Sequence, residues 1–508
     1  MKAVIIGSGM AGLTAGAYLA KAGHEVILYE QFDTPGGVTA TIKKDGFSWD
    51  IGPLLLDGFA PGDKGRIVLE ELGVSDKVRI IRADRGLMMQ DIALWKPAEY
   101  QGPYWRRERL KEIFPEESAS LDEYYRFYDR MLALMALAKR SENAKGLAGL
   151  WLKLRLLLAF QGVKKYVKWN GAQLMDHFFK SPLLKTIFLG LAADFVTAPV
   201  EFPALGIPTL HIETAFDARI PAYPNTGSAQ VAYGYFADGC QNLVDAVMSV
   251  VTANGGRVLT GKTVKRIVIE DGLAKGVELA DGHIEPADIV LASGGMREVF
   301  FDLVGREHLP AEFIAQVEKN RLMESVFMVQ LGIDFDPAPY QRAALCYYYE
   351  TTDLDDSVQR LSAGEYHEGK EGLLIYVPSK HSPSMAPAGK HAVTIYTVAP
   401  DKLKEGDWTS RREAFADKLI AEAEKHIPGL RAHTLTRLIL TPDDFRKRTH
   451  QTHHSFGGVP PVMGNQPPAN QTPIRGLWFI GSQSESGAGI LNVVVGAQKV
   501  AKRILAEE

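Results

Sequence analysis

Short apolar runs and amphipathic stretches alternate along the first thirty residues of the chain. Residues 2–6 form a β-branched, apolar run that predicts a buried parallel strand. A glycine-rich hexapeptide at residues 7–12 follows directly, and the Ala- and Leu-rich residues 13–22 predict a helix. Residues 25–29 predict a second strand, which is followed by the acidic residue Glu30. This order predicts a strand–turn–helix–strand unit of an α/β fold.

The glycine spacing of the hexapeptide is typical of a Rossmann-like, dinucleotide-binding turn. Gly7 permits the tight turn, Gly9 lets the backbone approach a diphosphate, and Gly12 lets helix and strand pack closely. The helix N-terminus then offers free N–H groups and a positive dipole end to the phosphates. Glu30 lies near the position where a carboxylate accepts hydrogen bonds from a ribose diol. A chance glycine loop is the alternative, but strand, helix and acid together favour a dinucleotide site.

Two later stretches predict a return to this α/β fold. A helix, a strand and a small β meander across residues 242–292 are expected to add strands to its sheet. Residues 476–481 predict a strand ending in glycine, and a helix begins at residue 489 after a loop of small residues. A second strand–glycine–helix junction fits the far end of one extended cofactor. It therefore favours FAD over NAD.

The intervening stretches predict a separate substrate-binding part. Residues 116–138 carry apolar and aromatic side chains at helical spacing, which we interpret as core rather than as a ligand box. Residues 194–224 are irregular and Pro-rich, and they predict a crossing between domains. Alternating strands that suit the floor of a substrate cavity are predicted at residues 325–333, 372–377 and 392–398.

Residues 146–169 differ from their surroundings because they combine many leucines with cationic residues and contain no acid. An apolar helix with only positive charge fits the headgroup boundary of a membrane, where anionic lipids attract Lys and Arg. The alternative interpretation is a buried helix pair with a solvated basic end. Charges interrupt every apolar run, so the stretch is not expected to span a bilayer.

Composition narrows the class of protein. Of the 508 residues, 46% are hydrophobic and 23% are charged, as in ordinary soluble globular proteins. The net charge of −4 argues against general nucleic-acid binding. Cys240 and Cys346 are the two cysteines, which excludes a zinc or iron–sulfur site built on cysteine, and no metal site is predicted. The histidine group 450–454 is interpreted as surface or site lining. With a strand at the N-terminus, we expect a cytoplasmic protein or one attached to a membrane surface.

The chain resembles the phytoene desaturase branch of the FAD-dependent amine oxidase-like superfamily. The resemblance rests on residues 7–12 with Glu30, on 35–37, 50–53, 255–256 with Val264, 384–389, and Gly481 with 486–490. It implies a split FAD-binding domain at residues 1–62, 225–305 and 440–508. It also implies an inserted substrate domain at residues 63–224 and 306–439, with a helical lid near residues 146–169.

The predicted cofactor contacts follow from the glycine turns and from this resemblance together. They are Gly7, Gly9, Met10, Ala11, Gly12, Glu30, Gly36, Gly37, Val38, Gly52, Pro53, Val264, Gly481, Ser482, Gly489 and Ile490. Two of these residues depart from the family pattern. Val38 stands where the family carries an arginine, which removes a cation near the cofactor. Ser482 stands where an acid often follows the glycine, so contact with the ribityl chain would rest on a hydroxyl or the backbone.

The resemblance implies an oxidoreductase that transfers hydride from a CH–CH group of an apolar polyene isoprenoid to flavin N5. Alternatives on the same scaffold are a redox-neutral carotenoid isomerase, a polyene saturase and a flavin amine oxidase; a non-catalytic flavin-binding protein also stays open. An amine oxidase should carry an aromatic cage, but Tyr347, Tyr348 and Tyr349 are consecutive and cannot all face one cavity. Oxygen or a membrane quinone is the expected electron acceptor. No catalytic acid or base is predicted, and Asp194 and Glu213 are not assigned such a role.

Overall fold

The computed structural model describes residues 1–82, 85–95, 104–142, 144–194, 196–210 and 234–507. Its strands, numbered in chain order, are β1 Lys2–Ile6, β2 Glu25–Tyr29, β3 Thr41–Lys44, β4 Phe47–Asp50, β5 Ile80–Arg82, β6 Arg85–Met89, β7 Ile92–Leu94, β8 Gly234–Phe236, β9 Arg257–Leu259, β10 Val264–Glu270, β11 Leu273–Leu279, β12 Ile284–Pro286, β13 Ile289–Ser293, β14 Ser325–Ile333, β15 Leu345–Tyr349, β16 Gly372–Tyr376, β17 His391–Ala399, β18 Thr434–Leu440 and β19 Leu477–Ile480.

The α-helices are numbered in the same way. They are α1 Met10–Lys21, α2 Lys64–Leu72, α3 Trp105–Ile113, α4 Ser118–Glu142, α5 Gly146–Gln161, α6 Gly171–Phe178, α7 Pro182–Asp194, α8 Ile207–Leu210, α9 Gln241–Ala253, α10 Ala311–Lys319, α11 Leu354–Ser362, α12 Trp408–Glu424, α13 Pro442–Thr449 and α14 Ile490–Glu507. A π-helical segment follows β13 at Glu298–Gly305.

A parallel sheet in the order β19–β13–β1–β2–β9 collects its strands from distant parts of the chain. Alternate side chains of β1 face opposite layers. Ala3 and Ile5 pack with α1, α9 and α14, whereas Val4 and Ile6 pack toward β10, β11 and the π-helical segment. Burial on both faces explains why β1 is apolar throughout rather than alternating. The predicted Rossmann-like α/β fold is confirmed.

A second large sheet has the order β18–β14–β17–β16–β15–β6–β7, in which the β15–β6 pair is parallel and the other pairs are antiparallel. One face packs on α12, and the opposite face packs on a helical layer of α3, α4, α6 and α7. The strands predicted at 325–333, 372–377 and 392–398 are present as β14, β16 and β17. The aromatic stripe of α4 lies in the core, as predicted.

Parts of three predicted features lie outside the described residues. These are positions 195 and 211–224 of the predicted crossing, which include Glu213, positions 83–84, 96–103 and 143 of the predicted substrate domain, and positions 225–233 and 508 of the predicted FAD-binding domain. The described part of the crossing contains α8. The domain boundaries stay a prediction.

Helix α5 lies on the surface against α4 and ends well before residue 169. Its outward face exposes Leu147, Leu150, Trp151, Leu154, Leu157 and Leu158, with 87% of Leu147 accessible. The alternative interpretation of a buried helix is therefore wrong for α5, whereas Val163 and Tyr166, which follow it, are buried. None of the described helices has the length and apolar character needed to cross a bilayer.

Candidate functional site

The turn between β1 and α1 is closed by backbone contacts that leave no room for a side chain at Gly12. A β-carbon built on Gly12 would lie 2.1 Å from the carbonyl oxygen of Gly7. Gly7 itself has a φ of +90° and donates its N–H to the carbonyl oxygen of Tyr29 at 2.8 Å. The first and third glycines of the hexapeptide therefore serve the turn and the helix–strand contact, as the sequence predicts.

Gly9, the middle glycine, has open space in front of it. A β-carbon built there would meet no heavy atom within 4 Å, although its φ of −65° would suit any residue. Gly9 precedes α1, and no side chain caps this helix end. The N–H groups of the first turn, including those of Met10 and Ala11, consequently point to a space that an anion can fill.

Glu30 closes the turn from the side. One carboxylate oxygen, Oε2, accepts hydrogen bonds from Ser8 N and Ser8 Oγ, both at 2.8 Å, and Oε1 accepts one from Phe32 N at 2.9 Å. The side chain of Glu30 is buried. Its contact with a ribose stays a prediction, but the structure adds a role in holding the glycine turn. Ser8 was not predicted, because its bond depends on the side-chain direction of Glu30.

The glycine pair after β2 crosses the turn. Gly36 N donates to Ser8 O at 2.9 Å, and a β-carbon on Gly37 would lie 3.5 Å from Gly9 Cα. A β-carbon on Gly52 would in turn lie 2.1 Å from the carbonyl oxygen of Val38. The segment 36–38 therefore lies between the Gly9 turn and Gly52, which is distant from that turn in the sequence, and Pro53 follows Gly52 directly.

Asp50, two residues before Gly52, is a buried anchor of this segment. Its Oδ1 accepts hydrogen bonds from Thr41 Oγ1 at 2.6 Å and from Cys240 N at 2.9 Å. Burial raises the pKa of the Asp50 carboxyl above its usual value, and the hydrogen bonds oppose this rise. Because both groups that donate to Oδ1 belong to the protein, we assign Asp50 to positioning of the loop.

The C-terminal junction reaches the same place from the other end of the chain. A β-carbon on Gly481, whose φ is +109°, would lie 3.8 Å from Ala11 Cβ. Gln483 Oε1 accepts a hydrogen bond from Met296 N at 2.9 Å, which fixes the loop that contains Ser482. Gly489 has open space in front of it and directly precedes Ile490, the first residue of α14.

Val264 lies at the start of β10, in a separate antiparallel sheet. It is connected to the site through the backbone, because Lys262 N donates to Glu30 O at 2.8 Å. The structure therefore places it near the acidic end of β2 rather than near the Gly481 junction. For all sixteen residues, contact with the cofactor stays a prediction.

These residues form an open groove along the carboxyl edge of the parallel sheet. β-carbons on Gly9, Gly294 and Gly489 would each meet no heavy atom within 4 Å, and these glycines follow the neighbouring strands β1, β13 and β19. Ligands of open α/β sheets bind at this edge. The residues present therefore fit an extended dinucleotide such as FAD.

An apolar cluster joins this groove to the second sheet. Ile51 and Leu54, on either side of Gly52, belong to the same buried cluster as α4, α6, α7 and one face of β14–β17, and Val38 packs against it. Tyr347 and Tyr349 face this cluster and stack on each other with ring centroids 6.0 Å apart. Tyr348 points to the opposite face. The three tyrosines therefore do not share one cavity, as predicted.

The histidine group at residues 450–454 is divided between surface and core: His450 is exposed and His453 half-buried, in line with the prediction, whereas His454 is not. His454 is buried, stacks on Phe445 with centroids 4.8 Å apart, and its Nδ1 lies 2.6 Å from Ser325 Oγ. Burial lowers the pKa of His454 to about 3, so the ring is neutral at pH 7. The interpretation of this residue as surface or site lining is wrong; it is part of the core. No cluster of three metal-ligating side chains occurs among the residues with described positions.

One cation near the glycine turns was missed in the sequence. Arg448, in α13, donates from Nε to Gly37 O at 2.6 Å and lies over the ring of Phe32. No local pattern signals this contact, because the two bonded residues are 411 positions apart.

The model of the family "Flavin containing amine oxidoreductase" matches residues 10–505. Prolycopene isomerase 2, chloroplastic, from an Oncidium hybrid cultivar is 25% identical over 99% of this chain and 84% of its own. Phytoene desaturase (lycopene-forming) from a Paracoccus strain is 24% identical, and the match covers 99% of this chain and 97% of the relative. The crystal structure of an oxidoreductase from Methanosarcina mazei superposes with a TM-score of 0.64 at 20% identity, covering 99% and 100%.

Proposed function

Because this chain belongs to the family of flavin containing amine oxidoreductases, and is thus an oxidoreductase with FAD as its cofactor, we propose that it acts on a CH–CH group of an apolar polyene isoprenoid. The observation that carries this proposal is the apolar cluster that begins at Ile51 and Leu54 beside the glycine groove. It extends without interruption to the aromatic face of the second sheet. A long, uncharged hydrocarbon fits such surroundings, because each buried CH₂ contributes about 0.8 kcal/mol.

The residues that hold FAD in this proposal are those of the open groove. The turn at Gly9 and the first N–H groups of α1 bind the diphosphate, and Glu30 accepts from the ribose. When bound, FAD supplies the two-electron acceptor for removal of a hydride and a neighbouring proton. The protein's part is to orient the polyene against this acceptor and to exclude water through the apolar cluster.

The experiment is anaerobic mixing of the holoprotein with phytoene-like polyenes in detergent micelles. We expect the visible absorbance of the oxidised flavin to bleach, and the product to be lighter by two hydrogens. A saturated isoprenoid of equal length and the apoprotein are the controls. Absence of bleaching with every polyene tested contradicts the proposal.

A redox-neutral isomerase is the second candidate, favoured by the similarity of the chain to prolycopene isomerase 2 of Oncidium. Product mass separates the candidates, since isomerisation leaves the mass unchanged and saturation adds two hydrogens. An amine oxidase is disfavoured by the tyrosines. Tyr347 and Tyr349 stack directly on each other, and the guanidinium of Arg85 lies 5.1 Å from the ring centroid of Tyr347. This arrangement leaves no gap between the two rings for a substrate ammonium group.

We further propose that α5 docks on an anionic membrane surface, from which an apolar substrate and a quinone acceptor can be drawn. Its outward face exposes Leu150, Leu154 and Leu157, and Lys153 and Arg155 lie between them. Apolar burial at the headgroup boundary and attraction of cations to anionic lipid act together at such a helix. In this proposal the protein is cytoplasmic and peripheral to the membrane, with oxygen as the other acceptor.

Vesicle co-sedimentation tests the docking. The triple variant Leu150→Gln, Leu154→Gln and Leu157→Gln should lower partitioning onto phosphatidylglycerol vesicles about 100-fold. Each leucine is about half exposed, so its burial in the membrane contributes about 0.9 kcal/mol, and the three together contribute about 2.7 kcal/mol. The matched control replaces Ile284, Leu435 and Met463, which are exposed elsewhere, by glutamine. Equal partitioning of the two triple variants contradicts this proposal. Wild-type protein that binds purely zwitterionic vesicles as well as anionic ones contradicts it too.

A further inference from the structure

The guanidinium of Arg448 is held against the glycine turns from two directions. Its Nε donates to Gly37 O at 2.6 Å, and its plane lies 4.6 Å from the centroid of Phe32. Gln31 Nε2 donates to the carbonyl oxygen of Arg448 at 2.7 Å, so the backbone of α13 is fixed as well. The side chain is therefore placed by the segment 31–37, which also contacts the Gly9 turn.

The charge of Arg448 is incompletely matched by the protein. Burial lowers the pKa of its guanidinium, and the more distant carboxylates of Glu30 and Asp33 oppose this change. Among the described residues it forms no ion pair, whereas Arg446 of the same helix pairs with Asp401 and Asp443. A partly buried cation without a paired anion is costly, and an anionic ligand relieves that cost.

The geometry points to a further FAD-binding residue: we propose that Arg448 binds the diphosphate group of the cofactor. Its terminal nitrogens make no hydrogen bond to the described residues, so the planar fork that suits phosphate oxygens is available. Gly37, to which it is anchored, lies beside Gly9, where the backbone is open to a diphosphate. Arg448 thereby supplies, from a helix near the C-terminus, the positive charge that Val38 lacks. This proposal rests on FAD binding and is independent of the substrate.

Titration of the apoprotein with FAD, followed by flavin fluorescence, tests the proposal. Arg448→Gln should raise the Kd about 10- to 100-fold, because charge-assisted hydrogen bonds to a diphosphate are lost. Lys447→Gln is the matched control, since it removes the same charge from an exposed neighbour on α13; its Kd should change less than about 2-fold, as expected of an exposed charge. The Kd of Arg448→Lys should lie between those of the two glutamine variants, because a lysine keeps the charge but lacks the planar guanidinium fork.

Calorimetric titration with ADP and with adenosine separates ligand contact from a structural role. Arg448→Gln should weaken ADP binding by the same factor as FAD binding and leave adenosine binding unchanged. Equal loss of ADP and adenosine affinity would show that Arg448 merely supports the fold of the site, and wild-type affinity for FAD in the variant would overturn the proposal outright. Thermal unfolding of the apoprotein shows whether Arg448→Gln folds. If it does not fold, the Kd of Arg448→Lys for FAD tests the proposal instead.

Discussion

The glycine groove and the second sheet, the proposed substrate side of the molecule, are built in different ways. In the groove, the backbone determines the space that a ligand can enter. A β-carbon on Gly12 would lie 2.1 Å from a backbone atom, whereas a β-carbon on Gly9 would meet no heavy atom within 4 Å. On one face of the second sheet, side chains form the surroundings, because they make up a continuous apolar and aromatic cluster. The groove must recognise one constant, charged group, for which fixed N–H donors are suited. The cluster offers shape and low polarity, which suit an apolar molecule without fixed polar groups.

The same contrast extends to the titratable groups. His454 is buried, and His367, His381 and His426 are half-buried, in or against the second sheet. Burial lowers the pKa of His454 to about 3 and that of each of the other three to about 4. These neutral rings fill polar positions without introducing charge. The second sheet is therefore expected to be the acid-sensitive part of the molecule.

The largest expected effect tests whether the groove depends on backbone contact. Gly12→Ala places a β-carbon 2.1 Å from the carbonyl oxygen of Gly7, a backbone atom that cannot rotate away. We expect a loss of at least about 3 kcal/mol in the free energy of unfolding, measured with urea on the apoprotein. A loss below about 1 kcal/mol would show that helix and strand can separate at little cost.

Gly9→Ala is the same substitution in the same turn with a different expected result. The φ of −65° suits alanine and no atom lies within 4 Å, so the free energy of unfolding of the apoprotein should stay within about 1 kcal/mol. The new methyl group enters the space kept for the diphosphate, and the Kd for FAD should rise about 100-fold. Unchanged FAD affinity would mean that the cofactor does not approach the chain at Gly9.

The smallest effect concerns the histidines of the second sheet. A histidine whose pKa is lowered by folding stabilises the fold above its unfolded pKa of about 6.5, and this stability is lost as the pH falls toward the folded value. For His454 the loss between pH 7.5 and 5.5 should be about 1.4 kcal/mol. His454→Gln should reduce the measured loss by this amount in urea titrations at the two pH values.

His433→Gln is the control for this measurement, since His433 is exposed and lies 2.8 Å from Asp334. This variant should lose as much free energy of unfolding between pH 7.5 and 5.5 as the wild type. If both variants show the same pH dependence as the wild type, protonation of His454 does not limit acid stability.

Local sequence patterns predicted much of the fold. The glycine turn and β1 follow from residues 2–12 because their steric requirements are met by neighbours in the chain. The pairing of β1 with β13 and of β13 with β19, and the sharing of the second sheet by strands far apart in sequence, depend on long-range contacts. His454 was misinterpreted for the same reason: a loop composition rich in glycine and proline does not reveal that the ring packs on Phe445 and Ser325.

The sequence by itself determined the strand–glycine–helix unit, the FAD-type junction at Gly481 and the cationic, leucine-rich stretch that became α5. It also showed that Val38 leaves the glycine pair without an adjacent cation. Only the tertiary structure decided that α5 exposes its leucines and that Arg448 reaches Gly37. The physical reason is that backbone sterics and periodicity act within a few residues, whereas burial and charge pairing depend on segments brought together by folding.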